Sequence, residues 1–354
     1  MSQDSSAIFN SSSLSAKTMS ITQDAKRQMI MQQVNSQLSR QGYASLKAVR
    51  LSYETNKLNQ VSYQGITKAG TGKVARLIKW QLKLKGASCP SSLDIEMANI
   101  KQLQQQCQNQ KSYQTLIEYQ FIKTSTVDIQ GELWQLSGLV MPYFNLGSLK
   151  HYLQGYQLAD HDKLHLALKL AECVQQAHQL GWIHGDIKPS NFLLSTSQES
   201  KSSLSNNTGL KVYLNDWSCA QPQSAGSELN EIFVNEINQK VKGTPAYLAP
   251  ECWQGQPITV QSDLYAFGVT LFELFAANRP YQVQQPEAQK QRLSSQWARL
   301  HCQQPIPLLP KQWQRLQPLI DKLLAKRTEN RLKTIEEAIK LIQVFHKNAE
   351  DEIY

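Results

Sequence analysis

Residues 182–194, WIHGDIKPSNFLL, place four chemically active side chains between two apolar ends. The four are His184, Asp186, Lys188 and Asn191. Side chains of these types serve in proton transfer, charge stabilisation and metal binding. A short loop with a proline separates Asp186 from Asn191, so both lie where the chain turns rather than inside a regular element. The stretch therefore predicts a reactive loop.

Asp216 lies downstream, in the run YLNDWS at residues 213–218. The strand-like runs 191–194 and 210–214 predict a hairpin whose ends bring Asn191 and Asp216 together. Their oxygens are hard ligands that suit Mg²⁺, which takes one or two carboxylates and fills its other positions with phosphate oxygens and water. For each residue taken alone, a polar turn with an Asx cap and a salt bridge is the structural alternative.

The composition is that of a two-lobed soluble protein. Of 354 residues, 41% are hydrophobic and 18% are charged. The longest apolar run, residues 264–276, is too short to span a bilayer and contains Glu273. The N-terminus has no secretory pattern, and the six cysteines never approach CxxC or CxxH spacing, which argues against a zinc site and favours a cytoplasmic location. The net charge of +9 is compatible with binding to nucleic acid, to an anionic membrane or to a polyphosphate ligand. It is equally compatible with a basic surface that contacts only solvent.

The sequence predicts four segments. Residues 1–40 are rich in Ser and Gln and indicate a disordered or loosely ordered tail. Residues 41–141 are mainly strand-like with one helix over 92–106, and residues 142–346 are mainly helical, with a helix over 160–180 that ends before a glycine. Residues 347–354 form a second tail, and 195–209 form a flexible insertion in the hairpin.

Five motifs, in this order and spacing, resemble those of eukaryotic-type serine/threonine protein kinases. HGDIKPSN resembles the family's catalytic loop, and DWS at 216–218 resembles its metal-binding D-F-G. GTPAYLAPE at 243–251 is similar to the end of the activation segment, SDLYAFGVTLFEL at 262–274 to the buried central helix, and ENRLKT to the segment with a late arginine. The resemblance covers roughly residues 45–345 and implies a bilobal α+β fold, with a small β-rich lobe before a larger helical lobe.

The resemblance implies roles for the large lobe. Asp186 is the expected base, and Lys188 the stabiliser of the transferred phosphoryl group. The remaining expected roles are metal binding by Asn191 and Asp216, shaping of the hydroxyl site by Thr244, support of the catalytic loop by Asp263, and a buried ion pair between Glu251 and Arg331.

The small lobe carries a weaker signal. In the predicted strand VARLIKW, residues 74–80, Lys79 resembles the family's ATP-binding lysine, and Lys73 lies on the same face. In the following helix, Glu96 lies within an apolar stripe and needs a charged partner. Lys79 is the expected partner. A solvent-facing lysine is the alternative.

The resemblance also implies an adenine pocket, with the backbone near residues 142–144 bonding the base. Its expected residues are Val61, Leu77, Met141, Phe144 and Leu193. The phosphate loop departs from the family, because LSYETNKLNQV at 51–61 contains no glycine where backbone N–H groups should approach phosphates. Lys57 or Asn59 could substitute.

The predicted function is ATP-dependent phosphorylation of serine and threonine hydroxyls in proteins, including the chain itself, whose Ser-rich residues 2–20 are candidate targets. The cofactors are ATP and Mg²⁺, with Mn²⁺ as the alternative ion, and neither nucleic acid nor a membrane span is expected. Gly185 stands where many relatives carry an arginine that grips a phosphorylated activation segment. A pseudokinase scaffold and a small-molecule kinase of the aminoglycoside type remain open as alternatives.

Overall fold

The computed structural model describes residues 11–55, 61–71, 74–87, 89–107, 116–196, 209–224, 243–283 and 290–351. The chain divides into two compact units. The first comprises Met1–Leu93 and Glu118–Tyr143, and the second comprises Asp94–Ile117 and Phe144–Tyr354. A sheet dominates the first unit and helices dominate the second, which confirms the predicted α+β fold.

An antiparallel sheet forms most of the first unit. Its strands are β1 (Lys47–Thr55), β2 (Val61–Thr71), β3 (Val74–Leu84), β4 (Gln120–Phe121), β5 (Ser125–Ile129) and β6 (Glu132–Pro142). The order is β1-β2-β3-β6-β4, and β5 pairs with β6. Alternation along β3 directs Ile78, Trp80 and Leu82 to one face and Leu77 and Lys79 to the other.

Helix α1, Ser11–Arg40, packs on the face of the sheet that carries Trp80. Its Ile30, Val34 and Leu38 are fully buried in the same core as Trp80. They recur at four-residue spacing, so they share one side of the helix. The expectation of a loosely ordered tail over residues 1–40 is therefore wrong for this stretch, because three apolar residues complete the core of the first unit.

Trp80 explains a glycine in the middle of β2. Its cross-strand neighbours are Gly65 on β2 and Gly138 on β6. A Cβ atom on Gly65 would lie 2.2 Å from the Trp80 ring, so the indole packs directly on the glycine backbone. The indole Nε1 donates to Thr67 Oγ1 at 3.0 Å. The close packing of a tryptophan therefore requires glycine at position 65.

The second unit is built from helices and short strands. The helices are α2 (Ser92–Cys107), which begins in the first unit, α3 (Leu149–Gly155), α4 (Asp160–Gln179), α5 (Pro250–Trp253), α6 (Val260–Ala276), α7 (Lys290–Gln303), α8 (Gln317–Leu323) and α9 (Ile335–Asp351). The strands are β7 (Gly147–Ser148), β8 (Trp182–Ile183), β9 (Phe192–Thr196), β10 (Leu210–Leu214) and β11 (Gln221–Pro222). Strands β10, β9 and β7 form one sheet, and β11 pairs with β8.

Two predicted elements position the reactive loop. The helix predicted over residues 160–180 is observed as α4, and the predicted hairpin is observed as the antiparallel pair β9 and β10. Helix α6 is buried along most of its length, as its apolar sequence predicted. Its N-cap is Thr259, which forms a capping box with Ser262.

The observed boundaries differ from the predicted ones in three places. The units divide after Tyr143 rather than after residue 141. Helix α2, which was predicted within the small lobe, groups mainly with the second unit, where Gln106 Oε1 accepts from Trp182 Nε1 at 2.8 Å. Residues 347–351, predicted as the start of a tail, continue α9.

Several predicted features lie outside the described residues. These are residues 1–10 of the first predicted tail, residues 352–354 of the second, most of the hairpin insertion, and Lys57, Asn59 and Lys73. None of the described helices combines the length and the apolar character that crossing a membrane would require.

Candidate active site

The Asp186 carboxylate is the centre of a cluster of hydrogen bonds in the second unit. Lys188 Nζ contacts its Oδ2 at 2.5 Å, and the Thr244 backbone N–H donates to its Oδ1 at 2.9 Å. The same Lys188 ammonium donates to Thr244 Oγ1 at 2.6 Å. Asn191 Nδ2 donates to the Asp186 backbone oxygen at 2.8 Å. These contacts fix the position of a carboxylate that is 8% exposed.

The carboxylate of Asp263, in the first turn of α6, binds the backbone of the loop that contains Asp186. Its two carboxylate oxygens accept the backbone N–H groups of His184 at 2.7 Å and Gly185 at 2.8 Å. The His178 ring, at the end of α4, contacts Asp263 Oδ2 at 3.0 Å. Charge-assisted hydrogen bonds of this kind are stronger than neutral ones. The buried helix α6 therefore sets the position of the loop backbone.

His184 is a fully buried, neutral residue. Burial lowers the pKa of its ring. Its Nε2 lies 3.1 Å from the Asn215 backbone oxygen, and its Nδ1 accepts the Asp186 backbone N–H at 3.3 Å. A carbonyl oxygen can only accept, so the proton is assigned to Nε2. The ring also meets the Trp217 indole edge to face, with centroids 5.1 Å apart.

Gly185 is required by backbone geometry. Its φ angle is +76°, in the region that favours glycine. A Cβ atom there would lie 2.8 Å from the Cys219 carbonyl oxygen and 2.7 Å from Ile258 Cδ1. The sequence suggested only a missing charge at this position. The structure adds a steric reason, because the loop backbone approaches the turn after Asp216 closely.

Asp216 is the N-cap of a turn of 3₁₀ helix, Trp217–Cys219, that follows β10. Its φ and ψ angles are 70° and 73°, an arrangement that costs a residue other than glycine about 1–3 kcal/mol. Ser218 Oγ donates to its Oδ1 at 3.0 Å. Asn99 Nδ2, on α2, donates to the backbone oxygens of Trp217 at 2.8 Å and Ala220 at 2.9 Å.

The hairpin brings the two predicted metal ligands to the same end of β9 and β10. Phe192 pairs with Leu214, and the Asn215 N–H donates to the Asn191 backbone oxygen at 2.9 Å, so Asp216 follows at the same end. Because Nδ2 of Asn191 is engaged with the loop aspartate, its Oδ1, which accepts from Ser190 Oγ at 3.5 Å, is the atom that can also face a cation. One amide oxygen and one carboxylate fit Mg²⁺. Among the described residues, no group of three or more His, Cys, Asp and Glu side chains could hold a metal.

Comparison with known proteins identifies the fold. The family model described as the protein kinase domain matches residues 91–342, which is more than half of the chain. The chain belongs to the protein kinase family. Kinases of this family use ATP and a divalent metal ion. The resemblance drawn from the five motifs is confirmed.

The similar kinases include several bacterial serine/threonine kinases. The chain is 31% identical over 212 residues to the probable serine/threonine-protein kinase PknB of Lactococcus lactis, covering 58% of this chain and 30% of that protein. It is 29% identical over 208 residues to the serine/threonine-protein kinase PknD of Protochlamydia amoebophila, covering 56% and 19%. The match to PknK of Mycobacterium bovis is 30% identical over 175 residues and covers 49% and 14%. The kinase chain thus spans less than a third of the length of each.

The residues predicted to bind nucleotide are distributed over both units of the kinase. In the first unit, Leu77 and Met141 are cross-strand neighbours, Lys79 shares a face of β3 with Leu77, and Val61 begins β2. The second unit contains the other three, Glu96, Phe144 and Leu193. The ion pair between Lys79 and Glu96 and the adenine pocket stay predictions.

The predicted pair of Glu251 and Arg331 forms within the second unit. The guanidinium contacts the carboxylate through two hydrogen bonds, of 2.8 and 3.1 Å. Both side chains are buried, and Ser262 Oγ donates to Glu251 Oε1 at 2.9 Å. This pair ties α5 to the segment before α9.

Sequence reasoning missed three residues that contact the site. His178 was visible only as a polar residue in the last turn of α4, where a basic side chain suits a helix C-terminus. Ser218 is part of the DWS motif, but the resemblance to D-F-G indicates no role for its hydroxyl group, because the family has glycine there. Asn99 gave no signal, because its partners are backbone oxygens more than a hundred residues away.

Proposed function

We propose that this chain is an active serine/threonine protein kinase that transfers the γ-phosphoryl group of Mg-ATP to protein hydroxyls. The observation that carries the proposal is the double restraint on the Asp186 carboxylate. Thr244 N–H donates to one oxygen and Lys188 Nζ to the other. A carboxylate fixed in this way, 8% exposed, is suited to orient an incoming hydroxyl group and accept its proton.

Lys188 has two roles in this proposal. Its ammonium group lies between Asp186 Oδ2 and Thr244 Oγ1, so it can neutralise charge that develops on the transferred phosphoryl group. The hydroxyl of Thr244 restrains that ammonium group and borders the position of the incoming substrate. A lysine and a threonine at these positions resemble serine/threonine-specific rather than tyrosine-specific kinases.

The residues that would hold the cation are Asn191, through Oδ1, and Asp216. When bound, Mg-ATP supplies the phosphoryl group and the positive charge that stabilises its transfer. Asn191 also donates to the Asp186 backbone, so one side chain links the metal position to the base. Lys79, paired with Glu96, would hold the α and β phosphates, and the five apolar residues of the predicted pocket would hold adenine. In its protein substrates, the kinase would act on serine and threonine, including its own N-terminal serines, in the cytoplasm.

Phosphoryl transfer tests the proposal. Purified protein is incubated with radiolabelled ATP and Mg²⁺, with and without a generic basic protein. We expect labelling of both proteins, abolished in Asp186→Asn and Asp216→Ala and retained in Asp321→Asn, a control that removes an exposed carboxylate from α8. Absence of nucleotide binding would support the pseudokinase alternative instead. ATP turnover only with a sugar or an aminoglycoside would support a small-molecule kinase.

We also propose that the kinase is active without phosphorylation of its activation segment. This second part of the proposal rests on Gly185. Glycine has no side chain to bind a phosphate group, and the loop is already held by Asp263 through two backbone N–H groups. We expect exhaustive phosphatase treatment to leave turnover unchanged. A loss of more than about tenfold would show that a phosphate group orders the segment, and would rule out this part alone.

A further inference from the structure

The turn that begins at Asp216 has a backbone arrangement that needs support from its surroundings. Asp216 has a φ angle of +70°, and it is one of four non-glycine residues with a positive φ among the described residues. Residues held in this region persist where neighbouring contacts restrain them. Two side chains outside the predicted site supply such contacts, Ser218 and Asn99.

Ser218 acts on the side chain of Asp216. Its hydroxyl donates to Oδ1 at 3.0 Å, which fixes the rotation of the carboxylate. The D-F-G motif that this segment resembles has glycine at the same position, and glycine has no group that could make this bond. The hydrogen bond is therefore a feature of this chain rather than of the motif.

Asn99 acts on the backbone of the same turn. Its Nδ2 donates to the carbonyl oxygens of Trp217 at 2.8 Å and of Ala220 at 2.9 Å. Both acceptors are carbonyl oxygens, so the orientation of the amide group is determined. The bonds tie the middle of α2 to both ends of the turn. The Trp217 side chain, 1% exposed, anchors it further against His184.

We propose that Ser218 and Asn99 are positioning residues that hold the Asp216 carboxylate in the orientation used for metal binding. The inference rests on the proposed function, because it assumes that Asp216 is a metal ligand. Residues that hydrogen-bond a metal ligand orient it and raise the affinity of the site. Here one bond restrains the carboxylate and two restrain the backbone that carries it.

Direct metal binding tests the inference without activity. Mn²⁺ is titrated into the protein with a non-hydrolysable ATP analogue, and free Mn²⁺ is measured by electron paramagnetic resonance. For Ser218→Ala and Ser218→Gly we expect about tenfold weaker Mn²⁺ binding, the lower end of the effect of such supporting residues. Ser218→Thr keeps the hydroxyl group and should bind Mn²⁺ as tightly as the unchanged protein. Unchanged binding in both Ser218→Ala and Ser218→Gly, or no Mn²⁺ binding by the unchanged protein, would overturn the role of Ser218.

Asn99→Leu tests the backbone contribution, because leucine has a similar size but no donor. We expect about tenfold weaker Mn²⁺ binding and faster hydrogen exchange of the peptide around residues 215–221. Gln102→Leu, an exposed position on the same helix, is the matched control and should change neither. The exchange measurement needs no metal, so it reports on the turn even if Asn99→Leu lowers stability. Normal exchange in this peptide would overturn the role of Asn99.

The two proposals fail in distinguishable ways. If the unchanged protein binds Mn²⁺ and nucleotide but transfers no phosphoryl group, the proposed function fails and the positioning roles are still decided by the titrations. If phosphoryl transfer occurs and the variants at Ser218 and Asn99 bind Mn²⁺ as tightly as the unchanged protein, the positioning roles fail and the function stands.

Discussion

Two buried carboxylates of the second unit, Glu251 and Asp263, have different kinds of partners. Glu251 is 5% exposed and pairs with the charged Arg331 side chain. Asp263 is 1% exposed and accepts two backbone N–H groups from the loop that contains Asp186. The first joins two distant segments of the fold, and the second places a reactive loop.

The comparison shows that burial alone does not determine what a charged residue contributes. Burial by itself would raise the pKa of Glu251, but the hydrogen bonds and charge of Arg331 hold it below the ordinary value. The ionised Glu251 carboxylate thus pairs with the charged side chain of Arg331, whereas the Asp263 carboxylate fixes the positions of two backbone N–H groups. We expect the loss of the first to affect mainly stability and the loss of the second to affect mainly turnover.

The largest effect is expected for the ion pair. Glu251→Ala or Arg331→Ala strands one buried charge and should lower the free energy of unfolding by about 3–5 kcal/mol. Urea denaturation measures the loss. Glu329→Ala removes an exposed carboxylate near Arg331 and should change stability by less than about 0.5 kcal/mol. Complete inactivity of Glu251→Ala with an unchanged melting temperature would contradict the assignment of a structural role.

Asp263→Asn should affect turnover more than stability. The amide keeps the shape of the carboxylate, but its NH₂ group cannot accept the N–H of His184 or Gly185. A small displacement of Asp186 should lower kcat by about a hundredfold. Asp160→Asn, an exposed aspartate in the first turn of α4, is the control and should leave kcat unchanged. A normal kcat in Asp263→Asn would contradict the expectation that Asp263 acts mainly on turnover and Glu251 mainly on stability.

The sequence predicted the elements that follow a regular pattern. The loop with Asp186, the hairpin and the buried helix α6 could be recognised because motif spacing and apolar periodicity are local properties of the chain. Helix α1 could not, because Ile30, Val34 and Leu38 are spread among Ser and Gln residues that are typical of a disordered tail.

Contacts between side chains and backbone atoms are the second kind of feature that could not be predicted from the sequence. Asn99 hydrogen-bonds carbonyl oxygens, which every residue carries, so no residue type at the other end of the contact marks the pairing. The pair of Glu251 and Arg331 could be predicted, because the family resemblance names two charged side chains. The sequence shows only that Gly185 lacks a charge, whereas its φ angle and its approach to Cys219 appear only in the folded chain.

Gly185→Ala tests the backbone geometry of the loop while leaving the Asp263 carboxylate in place. Its positive φ angle and the approach to the Cys219 oxygen should together lower the free energy of unfolding by about 1–3 kcal/mol and displace the turn after Asp216. Gly255→Ala is the matched control, because Gly255 has a φ angle of +80° and no atom within 4 Å of an added Cβ. Both variants should lose stability, but only Gly185→Ala should lose turnover. Equal turnover in the two would contradict the steric role.

The remaining effect concerns acid, on the side of the unit that contains Arg331. His301 is fully buried and its Nδ1 lies 2.9 Å from the hydroxyl oxygen of Tyr265, whose ring lies beneath the Arg331 guanidinium. Burial, followed by the charge of Lys326, lowers the pKa of His301 to about 3. The unfolded chain therefore binds more protons than the folded chain between the ordinary histidine pKa and this value. Stability from neutral His301 is lost as pH falls through that range, by at most about 1.4 kcal/mol per pH unit.

His301→Gln should remove this contribution. The difference in unfolding free energy between the unchanged protein and His301→Gln should then decrease steadily as pH falls from 6.5 towards 4, measured by urea denaturation at each pH. Tyr265→Phe deletes the hydrogen bond but keeps the imidazole, so the acid dependence should persist in that variant. A difference for His301→Gln that does not vary with pH would show that this histidine is not the source of the acid dependence.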